Sequence, residues 1–158
     1  MKTYRGHITK LEANQVFVFG SNYSGFHGAG SAGYASFGIA GNHWREFEYD
    51  KKPNGWRGRW NVKGIGEGFQ QGTEGWSYAI PTVTRAGAKR SRTPEEIKES
   101  IIAFYKFAKR WKQLTFFVAQ ENKMGLNGYT PQEMAEMFMC WEIPENVIFE
   151  EGFSKLLA

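Results

Sequence analysis

The chain has 158 residues, enough for one domain that buries most of its apolar side chains. A net charge of +4 and an isoelectric point near 9.2 favour anionic partners: nucleotides, nucleic acid or phosphorylated metabolites. No apolar run approaches a membrane span, the opening MKTYRGHITK lacks a signal peptide's apolar core, and the single Cys140 excludes an internal disulfide, so a cytoplasmic protein is expected.

In chain order, strands alternate with helices. Residues 1–8 read as an edge strand and residues 15–19 as a buried one. Small residues over 30–37 read as a short helix. SYAIPT at 77–82 is a strand that ends at a loop. The clearest helix spans 93–111: Thr93 is its N-cap, Pro94 its first residue, and Glu96 completes a capping box. Ile97, Ile101, Phe104, Ala108 and Trp111 recur every three or four residues and predict one buried face. LTFFVA at 114–119 is another buried strand. Thr130-Pro131-Gln132-Glu133 repeats the capping grammar and opens a helix to about Met139, and residues 147–150 form a last strand. Strands separated by helices imply a mixed, mostly parallel sheet covered on both faces. Residues 41–75, glycine-rich, aromatic and charged, form a long loop or insertion in a single domain over 1–158.

The chemistry concentrates at glycines. The stretch VFVFGSNYSGFHGAGSAGY at 16–34 runs from a strand through turn formers into a helix start. In α/β proteins ligands bind where a strand's carboxyl end meets such a loop, because glycine admits close approach and unpaired N–H groups face the anion. No GxxxxGK[ST] is present, and GxGxxG is absent from the stretch. Gly64-Ile65-Gly66-Glu67-Gly68 precedes SYAIPT, and Met124-Gly125-Leu126-Asn127-Gly128-Tyr129 follows LTFFVAQENK. In a parallel sheet the loops after 15–19 and 114–119 emerge at one edge, where together they can clamp a diphosphate. Three histidines and one cysteine offer no zinc spacing, so neither metal nor cofactor is expected.

Four segments, in order, resemble the macrodomain family. Gly6-His7-Ile8-Thr9-Lys10-Leu11 is similar to its G-D-I-T-x-L opening. Val16 to Asn22, ending Gly-Ser-Asn, resembles the strand that ends Asn-Ala-Ala-Asn. His27-Gly28-Ala29-Gly30-Ser31-Ala32 resembles the first phosphate loop and Gly125-Leu126-Asn127-Gly128-Tyr129 the second. The pattern is nearest to small bacterial and phage macro-like proteins. The resemblance implies a three-layer α/β/α fold that binds ADP-ribose, a related ADP-ribosyl nucleotide or an ADP-ribosylated macromolecule. It implies that Ser21 and Asn22 meet the distal ribose, against an Asx turn as the ordinary use of Asn22. Gly28, Ala29, Gly30 and Ser31 would give N–H groups to the phosphates, or simply open a helix. Gly125, Leu126, Asn127, Gly128 and Tyr129 would close over the diphosphate, or form a plain strand–helix turn. His7 and Ile8 would meet the adenine edge, and Phe149 would stack on the base or belong to the core.

The chain departs from the family at the residues that drive hydrolysis. His7 replaces the usual adenine-binding Asp; a neutral imidazole nitrogen still accepts a hydrogen bond. Ala32 stands where one hydrolytic branch has Asp. Arg85, within TVTR, and Asn127 stand where another has Lys and Asp; a guanidinium stays protonated and an amide is no general base. His27, whose kind titrates near ~6.5, and Asn22 are the remaining candidates for catalysis, as an ADP-ribosyl hydrolase or ADP-ribose-derivative phosphatase. The rival reading is a nucleic-acid-binding module: Trp56-Arg57-Gly58-Arg59-Trp60 interleaves aromatics with arginines, and Lys89-Arg90-Ser91-Arg92 adds a basic run.

Overall fold

The computed structural model describes residues 2–25, 32, 34, 35, 65–72, 74–119 and 127–157. Among them the strands are β1 (Thr3–Tyr4), β2 (Gln15–Asn22), β3 (Gly68–Gln71), β4 (Trp76–Val83), β5 (Thr115–Val118) and β6 (Val147–Glu150). The helices are α1 (Pro94–Arg110), α2 (Pro131–Phe138) and α3 (Glu151–Ser154), with a 3-10 turn over Lys155–Leu157. One mixed sheet runs in the order β1-β6-β5-β2-β4-β3; only the β3–β4 pairing is antiparallel.

Local signals predicted most of these elements. Both capping boxes form: Thr93 Oγ1 accepts from the Glu96 N–H while the Glu96 carboxylate accepts from the Thr93 N–H, and Thr130 and Glu133 do the same. Four of the five predicted apolar positions on α1 are buried, but Trp111 is 40% exposed. It caps the helix, where non-helical backbone turns the side chain off the buried stripe. β2 runs three residues past the predicted end, because Gly20, Ser21 and Asn22 stay paired to β4. The segment expected as a long loop contains β3, held by Phe69 packing on Trp76 and Phe107. The helix predicted over 30–37 is described at Ala32, Tyr34 and Ala35, which have helical backbone.

The sheet is covered on both faces. On one, Val16, Val18, Tyr78, Ile80, Phe116 and Phe149 pack against α1, α2 and α3. On the other, Phe17, Phe19 and Ala79 pack against Ala32 and Ala35, joined by half-buried Ile8, Leu11, Ile65 and Ala119. The three-layer α/β/α arrangement is therefore present. This division of faces positions the site. The chain leaving β2 covers one face, and the helix that follows β5 covers the other, although the two strands are neighbours. Adjacent parallel strands whose connections part in this way leave a crevice at their carboxyl ends. Among the described residues no helix is long and apolar enough to cross a membrane.

Candidate functional site

Ser21 and Asn22 close β2, both almost fully buried. Ser21 Oγ donates to the Gly66 carbonyl. Asn22 Oδ1 accepts from Ser24 Oγ at 2.6 Å and from the Gly25 N–H at 2.9 Å, and Gly25 has φ +81°. This is an Asx turn, which sets the direction of the first glycine loop as it leaves the strand. The pairing register shifts between Ser21 and Asn22, yet the Tyr23 and Ser24 N–H groups still donate to the Val83 and Thr84 carbonyls. The strand end is thus pinned to β4 past the last ladder residue. Ser24 is not among the residues expected from sequence; its spacing two residues after Asn22 is the signal that could have found it.

Gly66 brings a further segment against this strand end. A Cβ there would lie 2.7 Å from the Tyr23 carbonyl oxygen and 3.1 Å from that of Asn22. Next to it, Glu67 accepts from the Tyr23 hydroxyl at 3.1 Å. Burial, reinforced by the Glu67 carboxylate, pushes the Tyr78 hydroxyl up to about 12.

Above β4 the basic run is largely turned inward. Arg92 is 4% exposed: Nη1 donates to the Pro81 carbonyl and, at 3.0 Å, to Ser100 Oγ, while Nη2 donates to the Glu96 carbonyl. Its guanidinium lies 4.5 Å from the Tyr23 ring centre. Arg90 pairs with Glu133 at 2.9 Å, donates Nε–H to the Gly128 carbonyl and covers the Tyr129 ring. These contacts draw the third glycine loop to the β4–α1 loop, and the Arg90 N–H reaches the Asn127 carbonyl at 2.7 Å.

The site residues expected from sequence divide three ways. Ser21 and Asn22 stand together at the carboxyl edge. Ile8 is half-buried on the small cluster, and His7 is exposed beside it. Asn127, Gly128 and Tyr129 are turned toward the protein: Asn127 Oδ1 accepts from the Tyr129 N–H, Gly128 sits on Lys89 and Arg90, and the Tyr129 hydroxyl donates to the Arg92 carbonyl. Phe149 offers no ring face to a base: it is fully buried between Phe138 and Phe153, because its place on β6 points toward α2 and α3. Its stacking role is therefore corrected to a core role. His27, Gly28, Ala29, Gly30, Ser31, Gly125 and Leu126 lie outside the described residues. So does Trp56–Trp60. Among the described residues no group of three or more His, Cys, Asp or Glu could hold a metal ion.

The sequence matches no protein-family model and no curated protein. Solved structures are similar. One is an aspartate-to-alanine mutant of an Oceanobacillus iheyensis macrodomain, 20% identical, with a TM-score of 0.54 over 96% of this chain and 85% of that one. Another is an asparagine-to-alanine mutant of that macrodomain, 16% identical, with a TM-score of 0.53 over 96% of this chain and 82% of that one. This is a macrodomain-like fold. Within the macrodomain-like fold, the ends of the third loop flank the β2 terminus. At one end the Ala119 N–H donates to Val18 of β2; at the other Asn127 meets Arg90, beyond β4. Since β2 lies between β5 and β4, residues 120–126 connect points on either side of Asn22.

The Glu133 carboxyl is held below the usual glutamate range, first by the Thr130 N–H, then by the Thr130 hydroxyl and the Arg90 guanidinium. A lowered carboxyl stabilises the fold above its ordinary value near ~4.3, and that contribution fades as pH falls through the lowered value. Glu133→Gln should accordingly be less thermostable than the unaltered protein at pH 7. The difference should shrink on acidification below about 4. A gap that stays constant with pH would show that Arg90 gains nothing from the ionised partner.

Proposed function

We propose that the protein binds ADP-ribose or a related ADP-ribosyl nucleotide, free or attached to a macromolecule, at the carboxyl edge of β2 and β5. The observation that carries this is the path of the third loop, whose ends stand on either side of the buried Asn22 turn. The nucleotide's diphosphate is assigned to the N–H groups of Gly28, Ala29, Gly30 and Ser31 from one side and of Gly125 and Leu126 from the other. Ser21 and Asn22 form the fixed polar floor near the distal ribose, and Ile8 marks the base end. If turnover occurs, His27 is the acid–base candidate and Asn22 positions the ribose.

The nucleic-acid reading loses part of its support. Of the three cations in Lys89–Arg92, Arg90 is ion-paired and Arg92 is interior, leaving Lys89 on the surface.

Calorimetry with ADP-ribose and with single-stranded DNA, at low and raised salt, tests the proposal. Binding of ADP-ribose that survives raised salt is expected. Gly30→Glu places a carboxylate at the phosphate position and should weaken binding by about a hundredfold or more, since like charges in contact cost several kcal/mol. Failure of the unaltered protein to bind ADP-ribose, or full affinity in that variant, would reject the site.

A further inference from the structure

With Phe149 interior, another ring must receive a base at the Ile8 end. Tyr34 is 39% exposed although its helix packs on the sheet. Its hydroxyl donates to the Ile8 carbonyl at 2.6 Å, and its ring meets Phe17 edge-on at 5.6 Å between centroids. The ring is thus held at its tip and along one edge while a substantial part stays in solvent. A ring fixed before binding loses little conformational freedom when a planar partner stacks on it.

The other exposed aromatic rings among the described residues are placed differently. Trp111 and Trp141 follow the ends of α1 and α2, at the opposite edge of the sheet. Tyr23 lies at the β2 terminus, but it is occupied by the Arg92 guanidinium. Tyr34 alone of these is tied to Ile8, on the face covered by the small cluster.

We infer that Tyr34 is the platform on which the base of the bound nucleotide stacks, and that it sets the preference for a purine over a ligand lacking a base. This rests on the nucleotide reading above. Its hydroxyl keeps the ring aligned through Ile8; its face makes the contact.

The test uses ADP-ribose and a fluorescent etheno-adenine analogue of it. The analogue's emission should be quenched on binding the unaltered protein, as stacking on an aromatic ring requires. Tyr34→Leu, which keeps apolar contact with Phe17, should lose affinity for ADP-ribose by about tenfold to a hundredfold. Tyr34→Phe should stay within about threefold of the unaltered protein, since the ring face remains. Thermal unfolding confirms that each variant folds. Bound analogue that remains unquenched, or a Leu variant that binds as tightly or more tightly, would overturn the assignment while leaving the nucleotide site standing. Absence of any ADP-ribose binding by the unaltered protein would remove both.

Discussion

Arg92→Ala is expected to lower the unfolding free energy by about 3 kcal/mol and the midpoint temperature by roughly 6–12 °C. The guanidinium is interior and donates to Pro81 and Glu96 carbonyls and the Ser100 hydroxyl. Truncation leaves those acceptors facing a cavity, and an orphaned buried polar group costs about 1–3 kcal/mol. It also removes the cation packed on Tyr23. Against this stands the desolvation of a buried cation, whose Nε has no hydrogen-bond partner. Arg92→Met separates the two: an apolar side chain of similar length avoids the desolvation but makes none of the bonds. Thermal or urea unfolding of both variants decides it. An Ala variant within about 0.5 kcal/mol of the unaltered protein would show that the bonds merely offset the cost of burial.

Gly66→Ala should destabilise by about 1–3 kcal/mol and, on the proposed function, weaken ADP-ribose binding by about tenfold. The added Cβ would meet backbone atoms of Tyr23 and Asn22 at 2.7–3.1 Å, and backbone cannot rotate aside as a side chain does. Relief requires the segment to move off the β2 end, which drags the Ser21 hydrogen bond and the Asn22 turn with it. Gly20→Ala is the matched control. It lies two residues before Asn22, and its Cβ would meet only the Thr82 side chain at 3.6 Å, an ordinary contact. Stability and calorimetric affinity measured for both should separate them clearly. Equal behaviour would mean that Gly66 is not held against the strand end.

Much of the fold is legible in single residues. Thr93, Pro94 and Glu96 announce α1 because a capping box needs no distant partner. The same grammar at Thr130 announces α2. β3 is not legible: Gly68–Gln71 carries one large apolar residue, and its pairing comes from β4. Asn22 reads as a ligand contact or a turn, and its Oδ1 is in an Asx turn. Phe149 reads as a platform or core and is core, a choice set by α2 and α3. Lys89–Arg92 reads as a surface charge run because charge is visible in a sequence, whereas partners 11 or 43 residues away are not.

Caps, apolar runs and glycine turns are short-range, so the sequence alone determined which segments become strands and helices and that the sheet is mostly parallel. Three-dimensional packing alone decided which face Phe149 turns to, that Gly66 rests on Asn22, and that two arginines point inward. Those outcomes depend on contacts between residues 11 to 45 positions apart, where burial and hydrogen-bond satisfaction outweigh any local preference.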